Sequence, residues 1–116
     1  MIVIVDMGAT KTDWSFADGS TVIKTIQTKG FNPYFYSTGE IVDLLRADFL
    51  EEDFSEVKKV YLYGAGCSTQ EKKNIVQNAL KVYFPLATIE INHDLLASAR
   101  AICGKNPGIA CILGTG

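Results

Sequence analysis

The stretch from Ile2 to Asp13, IVIVDMGATKTD, decides the fold of this chain. Its first four residues are all apolar, which predicts a buried strand with no side facing water. After this strand, Gly8 lets the backbone turn tightly. Thr10, Lys11 and Thr12 then add two hydroxyl groups and a positive charge, where a polyphosphate could bind. A plain β-hairpin turn accounts for the same residues, and the spacing alone leaves both interpretations open.

Asp6 is the candidate metal ligand of this stretch, because it ends the first predicted strand. Mg²⁺ prefers oxygen ligands and usually keeps several of its waters. We therefore expect Asp6 to hold a hydrated magnesium ion beside a phosphate bound at the turn.

The composition predicts one globular domain. The chain has 116 residues, of which 47% are hydrophobic and 21% are charged, and such values are typical of globular rather than disordered proteins. This length supports a real core but is small for an enzyme that encloses two substrates. The net charge is −2 and the lysines are scattered, so we expect no nucleic-acid partner.

Three features of the sequence indicate a cytoplasmic protein. No apolar stretch approaches the roughly 18 residues of a membrane span, so we expect no membrane partner. The first residues lack the basic leader of a secretory signal. Cys67, Cys103 and Cys111 lack C-x-x-C spacing, which favours reduced thiols. Each cysteine is interpreted as a small buried hydrophobic residue.

Turn and capping signals divide the rest of the chain into strands and helices. Asp18-Gly19 predicts a hairpin turn, and Ser37-x-x-Glu40 and Ser68-x-x-Glu71 predict the capping boxes of two helices. With the hydrophobic periodicity, these signals place strands at residues 2–5, 12–17, 20–28, 57–63, 87–92 and 109–113, and a third helix at 94–103.

The order of these elements predicts an α/β fold. Three strands form an antiparallel meander, in which Val22 and Ile26 are expected to face inward. The following strand–helix units then give a mixed sheet of β-β-β-α-β-α-β order with helices on its faces. Ligands gather at the carboxyl ends of strands in such sheets, and the turns at Asp6, Gly64 and Asp94 all lie there. A dinucleotide-binding fold fits poorly, because its Gly-rich turn leads into a helix and this turn leads into a strand.

Five segments, taken in order, resemble those of one family. They are D-x-G-x-T-x-T at residues 6–12, Gly30-Phe31-Asn32-Pro33-Tyr34, Tyr63-Gly64-Ala65-Gly66-Cys67, His93-Asp94 and Ile112-Leu113-Gly114-Thr115-Gly116. The chain thereby resembles N-acetylglucosamine kinase-like proteins of the BadF/BadG ATPase group, within the sugar kinase/Hsp70/actin superfamily. The resemblance spans essentially the whole chain and implies a lobe of ribonuclease-H-like fold, as in actin-like ATPases.

The resemblance also implies a site in which ATP and a sugar bind in the cleft between two lobes. The first phosphate loop would consist of Gly8, Ala9, Thr10, Lys11 and Thr12, with Asp6 near Mg²⁺ through water. The second phosphate loop would begin at Gly114, Thr115 and Gly116, of which Thr115 and Gly116 would also reach the sugar. The sugar would further contact Asn32 and Asp94, with Asp94 as the catalytic base.

A physical argument that does not depend on the resemblance also supports Asp94 as a catalytic base. A sugar hydroxyl is a poor nucleophile, and a carboxylate within hydrogen-bond reach can accept its proton as the P–O bond forms. Asp94 follows a predicted strand and opens a predicted helix, where an aspartate serves well as the N-cap. Position alone favours the cap, the resemblance favours the base, and the two roles are compatible.

The expected function is that of the N-terminal lobe of an ATP-dependent sugar kinase for N-acetylglucosamine or a related amino sugar. On the resemblance, residues 1–105 form this lobe and residues 106–116 begin the second. We therefore expect the chain alone to be inactive and the complete protein to be a homodimer.

Two alternatives remain open. One is an ATPase activator of a radical dehydratase or reductase, although no cysteine spacing here is typical of its iron–sulfur cluster. The other is a non-catalytic sugar-sensing module.

Overall fold

The computed structural model describes residues 1–19, 21–64 and 66–93. In chain order the elements are β1 (Ile2–Met7), β2 (Lys11–Asp18), β3 (Thr21–Lys29), α1 (Thr38–Phe49), β4 (Lys59–Gly64), α2 (Gln70–Tyr83) and β5 (Thr88–Asn92). This order confirms the prediction over that part of the chain. The predicted helix at 94–103 and strand at 109–113 lie outside the described residues.

The five strands form one sheet in the order β3-β2-β1-β4-β5. The pairs β1–β2 and β2–β3 are antiparallel, whereas β1–β4 and β4–β5 are parallel. Parallel neighbours need a crossover connection, and α1 and α2 supply these connections. The fold is therefore the predicted α/β fold with a mixed sheet, and the carboxyl ends of β1, β4 and β5 lie at one edge.

The main hydrophobic core lies between one face of the sheet and the two helices. Side chains alternate along a strand, so Val3, Val5 and Met7 of β1 face this core. Trp14 of β2 lies opposite Val5, and its ring centroid is 5.0 Å from that of Phe49 in α1. The helices contribute Ile41, Leu45, Phe49, Val76, Ala79 and Leu80. The β1–β2 hairpin is thereby fixed against both helices.

The prediction that Val22 faces inward is wrong. Val22 is 39% exposed, whereas Ile26 packs partly buried against the core. The β2–β3 register shifts between Phe16 and Ala17, so that Val22 pairs with Ala17. Such an irregularity breaks the period-2 alternation on which the prediction rested.

The predicted N-cap of α1 is confirmed, and the predicted N-cap of α2 is wrong by one residue. Ser37 Oγ accepts from Glu40 N–H at 3.3 Å while Ser37 N–H donates to Glu40 Oε1 at 3.0 Å, so the predicted capping box of α1 is confirmed. The N-cap of α2 is Thr69, which accepts from Lys72 N–H at 3.2 Å, and not the predicted Ser68. Both residues carry a hydroxyl group suited to capping, so their residue types did not distinguish them.

Candidate functional site

The turn between β1 and β2 presents backbone N–H groups at its tip. Gly8 N–H donates to Lys11 O at 2.8 Å and closes the turn. Ala9 and Thr10 stand exposed at the tip, and neither backbone N–H donates to another described residue. Lys11 is also exposed. Unpaired N–H groups beside a positive charge form a suitable place for an anion.

Thr12 differs from the other predicted phosphate-loop residues because its side chain lies in the core. It is fully buried, and its Oγ1 donates to Lys29 O at 3.1 Å. The hydroxyl proton therefore links β2 to β3. In this structure the groups exposed to a ligand belong to residues 8–11.

The loop that follows β3 is held directly against this turn. Gly30 N–H donates to Thr10 O at 3.0 Å. A Cβ atom at position 30 would lie 2.7 Å from Gly8 O and 2.8 Å from Ala9 O, distances that real Cβ atoms do not tolerate. Only glycine lets the two backbones approach this closely, so Gly30 determines how the loop sits on the turn.

Three sequence-predicted segments meet in one small pocket at the end of β1. The pocket has a volume of about 90 Å³ and is lined by Met7, Gly8, Ala9, Asn32 and Gly66. Its lining comes from the turn after β1, the loop after β3 and the turn after β4. The structure thus brings Asn32 and Gly66 beside the predicted phosphate loop.

Two aspartates lie side by side on the other face of the sheet. Asp6 pairs with Asp13 of β2 and with Tyr63 of β4, and both carboxylates are exposed. Burial, and then the negative charge of Asp6, raise the pKa of Tyr63 to about 12. Gln27 Nε2 donates to Asp13 Oδ1 at 2.9 Å.

This pair fits the oxygen chemistry of Mg²⁺, which proteins often hold with one or two carboxylates, several waters and substrate phosphates. Over the residues that the structure describes, no group of three or more His, Cys, Asp and Glu comes together. A magnesium ion at Asp6 and Asp13 would therefore depend on water and phosphate oxygens. Sequence reasoning did not single out Asp13. The signal was available, since a hairpin centred between Ala9 and Thr10 pairs residue 6 with residue 13.

The remaining predicted site residues are Asp94, Gly114, Thr115 and Gly116, and they lie outside the described residues. Strand β5 ends at Asn92, at the same edge of the sheet as Met7 and Gly64. In sequence, Asp94 comes two residues after this strand end.

Cys67 follows the turn after β4 and behaves as the predicted small hydrophobic residue. It is fully buried, and burial raises the pKa of its thiol to about 11. At neutral pH the thiol is protonated, which makes it a poor nucleophile. Cys103 and Cys111 lie outside the described residues.

No helix within the described ranges is both long enough and apolar enough to pass through a lipid bilayer.

Of three comparisons with known proteins, the comparison with solved structures found a similar protein. No family model matches the chain, and no curated protein matches it. Among solved structures, a proposed N-acetylglucosamine kinase from Porphyromonas gingivalis shares 39% identity with a TM-score of 0.76. The match covers 90% of this chain and 38% of that protein, so the chain spans less than half of its relative. In sequence and in fold, the chain is therefore similar to an N-acetylglucosamine kinase-like protein over 90% of its own length.

Proposed function

We propose that this chain is the N-terminal lobe of an ATP-dependent kinase that phosphorylates N-acetylglucosamine or a related amino sugar. The observation that carries the proposal is the meeting of the β1–β2 turn, Asn32 and Gly66 around one pocket. The relative described as a proposed N-acetylglucosamine kinase supports the choice of reaction and substrate. In the same proposal the complete protein is a cytoplasmic homodimer, and residues 106–116 begin its second lobe.

The exposed tip of the β1–β2 turn would bind the phosphates of ATP. The N–H groups of Ala9 and Thr10 would donate to phosphate oxygens, and Lys11 would balance their charge. Asp6, with Asp13 beside it, would hold Mg²⁺ through water. When bound, this ion would neutralise negative charge on the phosphate oxygens.

The sugar would bind beside the turn, where Asn32 lines the pocket. This pocket of about 90 Å³ would hold one part of the sugar, and the rest of the sugar would lie in the open cleft. Asp94 would accept the proton of the attacking hydroxyl group as the new P–O bond forms. Gly114, Thr115 and Gly116 would complete the phosphate and sugar contacts from the second lobe.

The proposal is tested by ADP release from the full-length protein with Mg²⁺, ATP and a panel of hexoses and N-acetylated hexosamines. We expect release to depend on one amino sugar. We expect Asp94→Asn to abolish release while leaving sugar binding largely intact, because the amide cannot accept the proton.

Two other outcomes would overturn the proposal and favour the alternatives. Slow ADP release that is indifferent to every sugar would favour an activator ATPase, and a brown, air-sensitive preparation would strengthen that assignment. Sugar binding without ADP release would favour a sugar sensor.

A further inference from the structure

The side chain of Asn32 is held in one orientation by its own loop. Asn32 Oδ1 accepts a hydrogen bond from Tyr34 N–H at 2.9 Å. The backbone carbonyl of Asn32 accepts from Phe35 N–H at 2.9 Å and from Tyr36 N–H at 3.2 Å. Since a backbone N–H can only donate, the side-chain oxygen must face Tyr34. The Nδ2 group is then the part of the amide left to bind a ligand.

Gly66 lies directly against this amide. A Cβ atom at position 66 would overlap Asn32 Oδ1 and would lie 2.7 Å from Cγ and 3.0 Å from Nδ2. The space that a side chain at position 66 would occupy is therefore filled by the amide of Asn32.

The need for glycine at position 66 concerns space and not backbone conformation. Among the described residues only Gly19 has a positive φ, so alanine could adopt the backbone angles of Gly66. At Gly30 the obstructing atoms belong to the backbone, whereas at Gly66 they belong to one side chain that can rotate. A methyl group at position 66 would therefore move Asn32 rather than the sheet.

We propose that Gly66 is a positioning residue that determines sugar specificity through Asn32. This inference rests on the proposed function. The missing side chain at position 66 lets the Asn32 amide keep its hydrogen bond to Tyr34 N–H and present Nδ2 as a donor at the pocket. A donor fixed in this way recognises an oxygen lone pair, and we assign this oxygen to a hydroxyl group of the sugar. Deoxy sugars that lack this oxygen are discriminated against.

The test measures steady-state kinetics of the full-length protein with Gly66→Ala. We expect KM for the sugar to rise about tenfold, the equivalent of one lost hydrogen bond, while KM for ATP stays within about twofold. The matched control is Gly39→Ala, because a Cβ at position 39 meets no atom within 4 Å. This control should leave both KM values unchanged.

A double-mutant cycle separates positioning from a general structural effect. Asn32→Ala should also raise KM for the sugar, and Gly66→Ala should add nothing further in that background. Asn32→Asp keeps the oxygen that faces Tyr34 but replaces the donor, so it should raise KM about as much as Asn32→Ala. Additive effects in the cycle, or an unchanged KM in Gly66→Ala, would overturn the inference.

A measurement of melting temperature covers the case in which Gly66→Ala is too unstable for kinetics. Removing the amide makes room for the methyl group, so the Asn32→Ala/Gly66→Ala protein should melt as Asn32→Ala does. A melting temperature well below that of Asn32→Ala would contradict the packing argument. If Asn32→Ala alone changes KM, only the role of Gly66 fails. If no sugar stimulates ADP release, the proposed function fails with it.

Discussion

Asn32 shows at the residue scale how a turn residue becomes a candidate ligand-binding residue. Asn-Pro is a common turn dipeptide, and Asn32 does close its own loop through Tyr34 N–H. That part could be read from the sequence. The contact between its amide and Gly66 could not, because it depends on how two separate strand ends are brought together by the sheet.

Gly30 allows a test of the proposed phosphate loop at residues 8–11. In Gly30→Ala the new methyl group would collide with the carbonyl oxygens of Gly8 and Ala9, which are fixed backbone atoms. The turn must shift, so we expect KM for ATP in the full-length protein to rise about tenfold or more, equivalent to at least about 1.4 kcal/mol. Gly39→Ala again serves as the control. An unchanged KM for ATP would mean that the turn does not bind phosphate.

The buried thiol of Cys67 should make the protein less stable at alkaline pH. Burial raises the pKa of its thiol from 9.0 to about 11, so the native state keeps a proton that the unfolded chain loses first. By linkage, this stability is fully present below pH 9 and falls as the pH rises from 9 to about 11. The loss at full titration is on the order of 2 kcal/mol.

Urea unfolding of the chain, followed through the fluorescence of Trp14, measures this dependence. Trp14 is the single tryptophan and is fully buried. Cys67→Ala should show a shallower fall in the free energy of unfolding between pH 9 and about 11. Equal slopes in the two proteins would show that the thiol is not responsible.

At the scale of elements, the sequence predicted best those features whose contacts involve only residues close together in the chain. The capping box of α1 involves only Ser37 and Glu40, and the hairpin turn at Gly19 adopts the positive φ of 64° that glycine permits. The register shift between Phe16 and Ala17 involves two strands at once, and it moved Val22 out of its predicted place. Periodicity along one strand carries no information about such a shift.

The start of each helix gives a further prediction. Ser37→Ala removes the acceptor for Glu40 N–H and should lower the free energy of unfolding by about 1 kcal/mol. Ser68 is exposed and is not the N-cap of α2. Ser68→Ala should therefore change the free energy of unfolding by less than about 0.5 kcal/mol. Thr69→Ala should lower the free energy of unfolding about as much as Ser37→Ala does. A larger loss for Ser68→Ala than for Thr69→Ala would contradict the structure at this helix start.

At the scale of the whole molecule, the strand order creates the candidate site. Placing β1 between β2 and β4 brings the turn after β1 beside the turn after β4. Gly30 holds the loop after β3 against the first of these turns, and Asn32 of the same loop contacts Gly66 in the second. The order of elements and the location at the carboxyl ends of the strands followed from sequence patterns. The pairing of Asp6 with Asp13 and the depth of the pocket required the register and the packing.

A crystal structure of the full-length protein with N-acetylglucosamine and ADP would show directly whether the sugar and the phosphates bind at this site. We expect Asn32 Nδ2 to donate to a sugar hydroxyl oxygen at about 3 Å and the ADP phosphates to face the turn at residues 8–11. A sugar bound away from Asn32, or a nucleotide whose phosphates do not approach this turn, would show that the proposed site is wrong.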